Sequence, residues 1–142
     1  MSARTKIVNA LVEKFKLING SSPYRSNLFG NVSNKLKFWD EIHDYPFVCM
    51  SAGDETREYL PAGFKWGFLN ITIRIYVQDE DPTTKLEEIF EDIEYVLDNN
   101  NSLEYSTNRT TTEISILQIM SDEGVMAPLG IGEVLIQVRY DV

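Results

Sequence analysis

The side chains suited to acid–base or metal chemistry are few, with His43 the only histidine and Cys49 the only cysteine of 142 residues. The run Asp40-Glu41-Ile42-His43-Asp44 sets carboxylates beside one imidazole and could in principle hold a divalent cation. Its spacing matches no metal motif of known geometry, so a solvated turn is the better reading. Asp79-Glu80-Asp81 looks like an acid cluster at the end of a strand, but Asp81 stands directly before Pro82 and a helical pattern. Helix capping explains it, and no calcium-loop pattern follows. The glycines of Leu129-Gly130-Ile131-Gly132 lead into a strand pattern, whereas a phosphate cradle needs a helix there. Cys49 sits in Phe47-Val48-Cys49-Met50, the setting of a packed thiol, and as a lone cysteine it allows no internal disulfide. Three Asn-x-Ser/Thr triplets, at Asn31, Asn70 and Asn108, carry no meaning without a secretory signal. No catalytic, cofactor-binding or metal-binding residue is assigned, no cofactor is expected, and the reading is of a protein that is not an enzyme.

What remains is equipment for contact. The formal net charge is −9, which argues against tight binding of bare nucleic acid over the whole surface. The sign is uneven: residues 1–40 hold seven Lys/Arg against two acids, and residues 41–142 hold six against twenty. Two readings stay open, opposite faces by which one copy meets the next or two differently solvated surfaces. Arg4, Lys6, Lys14 and Lys16 of the first helix could approach phosphates, but no interleaved aromatic row accompanies them. Tyr24, Phe29, Phe38, Trp39, Tyr59, Phe64 and Trp66 fall mostly in loop-like stretches, either as a satellite core or as interface anchors.

The elements that must position these residues follow from periodicity. Ile7, Val8, Leu11, Phe15 and Ile18 recur at helical spacing over residues 2–19, with Gly20 as a stop. Residues 21–45 read as a long irregular connection, rich in Asn, Ser and aromatics. Pro46 opens a short strand ending near Met50, and Ser51 to Lys65 has loop composition. Trp66 to Val77 alternates strictly, with Leu69, Ile71, Ile73, Ile75 and Val77 on one face. A second amphipathic helix runs from Pro82 to about Asp98, its outer face assigned Glu87, Glu88, Glu91, Asp92 and Glu94. Residues 113–120 and 133–140 read as a hairpin across the loop Ser121 to Gly132. The expected fold is a single α/β (α+β) domain over residues 1–142. It has two main helices on a mixed, mostly antiparallel four-stranded sheet in the order α-β-β-α-β-β, with the Trp66 strand and one later strand free to run parallel. Met1 to Lys6 is polar and basic, and Asn9, Glu13, Lys14 and Lys16 break the following apolar run. Neither a signal peptide nor a spanning helix is therefore expected, nor a membrane partner.

With these elements in place, the chain resembles the tail terminator (tail completion) proteins of tailed bacteriophages over nearly its whole length. The likeness begins with the first helix ending in Ile18-Asn19-Gly20, then Pro23-Tyr24, and Pro46 leading into Gly53-Asp54-Glu55. It continues through the Trp66 strand and the acidic helix from Pro82. Its specific part is the closing run Ser121-Asp122-Glu123-Gly124, Pro128-Leu129-Gly130-Ile131-Gly132-Glu133 and a final strand reaching Tyr140. The resemblance implies a small subunit that closes into a ring, usually a hexamer, on the head-proximal end of the tail tube. Such a ring stops tube polymerisation, presents a surface to the head connector, and is assembled in the host bacterial cytoplasm. Its implied partners are further copies, the tube protein and the connector, with DNA passing through the ring but not read by sequence. Assembly contacts are expected of Arg4, Lys6, Lys14 and Lys16, of Trp39, and of Asp54, Glu55, Tyr59 and Phe64 in one loop. Asp122, Glu123 and Pro128 are expected to contribute from another. The Asn/Lys-rich stretch Ser26 to Phe38 departs from the family pattern. Other readings are a neck protein, another minor tail component, or a small-ligand or enzymatic domain using His43 and Asp79 to Asp81.

Overall fold

Strand β3 (Lys65–Gln78) forms where the strict alternation of aliphatic residues predicts it, and the rest of the fold is arranged around it. The computed structural model describes all residues from Met1 to Val142. Leu69, Ile71, Ile73, Ile75 and Val77 are each at most 1% exposed, and burial of each stabilises the fold by about 1.5–3 kcal/mol. The other elements in chain order are α1 (Ala3–Phe15), β1 (Val32–Ser33), β2 (Phe47–Tyr59) and α2 (Pro82–Asp98). After α2 come β4 (Glu104–Ser106), β5 (Arg109–Thr110), β6 (Glu113–Ser121) and β7 (Leu129–Asp141). The main sheet has the order β1-β2-β3-β7-β6, and β4 and β5 form a separate ribbon. Every neighbouring pair in the main sheet is antiparallel except β1 with β2. The expected α+β architecture is present, with five strands in place of four. The additional strand is two residues long and too short to show a period. β6 runs parallel to β3, as the crossover through α2 allows, but β7 lies between them.

Two boundaries differ from the sequence reading for clear reasons. Ser51 to Tyr59 is not a loop but the second half of β2, paired along the first half of β3. The residues that suggested a loop, Gly53 and Asp54, sit where the register shifts between Ala52 and Glu55, a bulge that tolerates them. Likewise β7 starts at Leu129, so the loop after β6 is shorter than Ser121 to Gly132, and both glycines lie inside the strand. They lie there because α2 crosses closely: a Cβ on Gly132 would come within 2.7 Å of Phe90, and one on Gly130 within 2.8 Å of Pro82 and Val77.

Both helices cover the same sheet face. Ser2 caps α1 by accepting the Thr5 N–H at 3.2 Å, and Asp81 caps α2 by accepting the Thr84 N–H at 3.3 Å with Pro82 at the first helical position. α1 lies over β1 and β2, while α2 lies over β3, β7 and β6, so the helix layer spans the sheet from one lateral edge to the other. Asp92 is a correction: it is not on the outer face of α2 but 3% exposed. Its carboxylate accepts the N–H groups of Arg25 and Ser26 at 2.9 and 2.8 Å, tying the connection after α1 to α2. On the opposite sheet face, Ile42, Cys49 and Tyr76 form a small second core with Tyr45, Phe47 and Ile131. Cys49 is buried there, which pushes its thiol pKa up, in keeping with a packed and unreactive role.

Candidate assembly surfaces

Antiparallel pairing places Tyr59 and Phe64 at one end of the sheet and Asp122, Glu123 and Pro128 at the other, while Asp54 and Glu55 lie at a bulge near mid-sheet and the basic residues lie on α1. β2, β3 and β7 have 13, 14 and 13 residues, so the sheet is roughly 45 Å long at about 3.4 Å per residue. The β2–β3 turn, residues 60–64, projects at one end, where Tyr59 pairs with Lys65. At the other end Gln78 pairs with Leu129, next to the β6–β7 turn.

At the first end, Tyr59 and Phe64 are 69% and 60% exposed, with Lys65 Nζ over the Tyr59 ring at 5.4 Å. Ala62 and Gly63 take positive φ values of 66° and 80°, which folds the turn tightly enough to hold the two aromatic side chains outward. Asp54 is exposed at the bulge, whereas Glu55 turns inward. The Glu55 carboxylate accepts the Tyr140 hydroxyl at 2.6 Å and pairs with Arg57 at 2.8 Å. Burial first and Glu55 second push the Tyr140 pKa up to about 12. Arg4 donates to the Gly53 carbonyl, which secures α1 to the bulge.

At the second end the β6–β7 turn folds against the start of α2. The Asp79 N–H donates to the Pro128 carbonyl at 2.9 Å, and Asp122 Oδ1 accepts the Gly124 N–H at 3.2 Å. Glu123, Val125 and Pro128 are exposed, Val125 at 83%. Trp39 is 54% exposed in a short 3-10 turn (Trp39–Glu41) and lines a narrow apolar crevice with Tyr45, Tyr76 and Leu129, so it belongs to this end. His43 is exposed, as are Asp79, Glu80 and Asp81. The hydrogen bonds from Thr84 hold the Asp81 carboxyl below its usual range, the signature of a cap. No group of three or more His, Cys, Asp or Glu side chains is close enough to hold a metal ion.

The basic residues of α1 do not form one patch. Lys6 reaches Ser106 at 3.5 Å, Lys14 is half-buried in the last turn, and Lys16 pairs with Glu13 at 3.3 Å. Lys16 and Glu13 line an open groove of about 580 Å³ between α1 and the Gly30–Asn34 stretch, floored by Val12, Val32 and Phe47 and also lined by Lys37. The groove gives part of the stretch Ser26 to Phe38 a place: Gly30 to Asn34 and Lys37 form its wall at the β1 edge, while Ser26 and Leu28 are buried beneath. Sequence reasoning missed this because the two residues of β1 and the Asn34 to Asn9 side-chain bond at 3.0 Å leave no periodic signal. On the uncovered sheet face, Arg74 pairs with Glu133 at 2.8 Å. Arg139 lies over the Trp66 ring at 5.1 Å and reaches Glu113 at 3.5 Å, which leaves that face polar and half-buried.

Comparison with known proteins adds three findings. The sequence model of a family described as Bacteriophage Tail Tube Terminator Protein matches residues 1–142. The chain is 36% identical over 152 aligned positions to the tail tube terminator protein p142 of Escherichia phage T5, covering 99% of this chain and 94% of that protein. It is also similar in fold, with a TM-score of 0.65 and 10% identity over the whole of both chains, to a chain in the virion of a native gene transfer agent particle.

Proposed function

Since the chain belongs to the bacteriophage tail tube terminator family, we propose that it is a structural virion protein that ends the tail tube, working by assembly and not by catalysis. Copies join side by side into a ring, hexameric as the resemblance implies. One end of the ring seats on the last layer of tube protein, and the other offers the attachment surface for the head connector. The observation that carries this reading is the sorting of exposed anchors to opposite ends of a long, stiff sheet. Tyr59 and Phe64 stand at one end, and Trp39, Val125 and Pro128 at the other. A terminator needs that arrangement, because tube and connector meet it from opposite directions and each needs a different surface. Exposed aromatic side chains on tight turns suit such contacts, since they bury much apolar area at little entropic cost. Glu123 and the half-buried Asp122 supply a polar rim beside the anchors of the second end. Ring closure in turn requires that one lateral edge of the subunit meet the other, a heterologous contact.

The test is genetic and visual. A phage lacking this chain should produce tails of uncontrolled length that carry no heads, and supplying the chain from a plasmid should restore uniform tails. Tails of normal, uniform length in its absence would contradict the reading.

A further inference from the structure

Ion pairing within the chain leaves unmatched charge at the two lateral edges, and it differs in sign. On α2, Lys85 pairs with Glu88 and Arg25 with Glu91, but Glu87, Glu94 and Asp98 have no cation. Their spacing of seven and four residues places them in one stripe about 16 Å long. That stripe lies on the flank turned away from Asp92, which faces the connection after α1 through Arg25 and Ser26. It is the flank shared with Thr83, which lies against Gly124 of the β6–β7 turn, so the free acids look out over the β6 edge. The groove beside α1 is at the other edge, over β1. Its rim carries Lys16 and Lys37 against Glu13 alone, with exposed Lys35 beside it. Apolar groups accompany both edges: Leu117 and Ile119 are 50% and 40% exposed on β6, and Leu36 is 41% exposed beside the groove.

We propose that the groove between α1 and the Gly30–Asn34 stretch receives the Glu87–Glu94–Asp98 stripe of a second copy of this chain. This contact rests on the ring reading and names the surfaces that close it. Three observations favour a sibling as the occupant: the charges are complementary, they lie at opposite lateral edges as a head-to-tail contact requires, and apolar side chains stand beside both. Strand direction is compatible as well. β2 and β6 run in opposite directions, so sideways repetition of the subunit brings unlike-directed edges together without inverting a copy.

The experiment is a charge exchange read by light scattering and negative-stain imaging, alone and with tube protein. Lys16→Glu with Lys37→Glu should weaken association at least about tenfold, as should Glu87→Lys with Glu94→Lys. Both double variants should melt as the parent chain does, and mixing the two should recover association between unlike copies. Raising the salt should weaken the parent contact, since exposed pairs are screened. Rings unchanged in both double variants would overturn this contact and leave the ring reading standing. Rings that form normally but no longer seat on tubes would assign the groove to the tube protein and overturn the proposal. A parent chain that stays monomeric even beside tube protein would overturn both the contact and the ring reading.

Discussion

At the residue scale, two polar groups inside the protein carry more of the architecture than any surface charge. Asp92 satisfies two backbone N–H groups, the buried one of Ser26 and the part-buried one of Arg25, so Asp92→Ala removes the partner of both. The expected cost is about 3 kcal/mol, seen as a melting temperature lower by roughly 9 °C; an unchanged melting temperature would remove Asp92 from this role. Its spacing of three residues from Ile89 and four from Val96 already sets it toward the buried side of α2, and what the sequence does not show is the partner, a connection distant in the chain. The Tyr140 and Glu55 pair gives a pH prediction of definite sign. The tyrosine titrates at 10 when unfolded and about 12 when folded, so its stabilisation is fully present below pH 10 and is lost as pH rises toward 12. Denaturation series from pH 9 to 12 should show that fall in the parent and a flatter profile in Tyr140→Phe. His43 and Asp79 belong to solvated turns in this account. The combined variant His43→Ala with Asp79→Ala should therefore leave folding and tail assembly intact, and loss of assembly in a normally folded double variant would restore a chemical role to them.

At the element scale, legibility followed the strength of the local period. β3 and α2 are evident because the first alternates over several residue pairs, the second repeats its pattern over more than four turns, and α2 carries its own start signal in Asp81-Pro82. The second half of β2 is not, since Gly53, Asp54 and alternating charges are what a loop shows, and only pairing with β3 makes them a strand. For the same reason Asp54, Glu55 and Tyr59 lie on a strand where composition suggests a loop, and of that group only Phe64 lies in the turn. The strand divides them, turning Glu55 inward and leaving Tyr59 and Phe64 near the tip. The glycine pair of β7 looked like a turn and is a packing device: α2 rests on the strand where side chains are missing. Gly132→Val should push Phe90 and α2 away and destabilise the fold by about 1–3 kcal/mol, measured in urea. A neutral result would show that the helix does not rest there.

At the scale of the whole molecule, the charge imbalance read from the sequence is spatial as well as linear, but not in the form the first helix suggested. Arg4 and Lys6 are committed to bonds within the chain, and the cations at the lateral edge are Lys16, Lys35 and Lys37. The acids we propose to meet them in the next copy are Glu87, Glu94 and Asp98 of α2. Two ends for two axial partners and two edges for two neighbours make the subunit a tile whose geometry suits a ring on a tube. The central claim is that such a ring stops growth, and purified protein added to polymerising tube protein under the electron microscope tests it most directly. The account predicts short tubes, each closed at one end by a ring and no longer growing. Tubes that lengthen at the same rate with the chain present, and end without a ring, would contradict it.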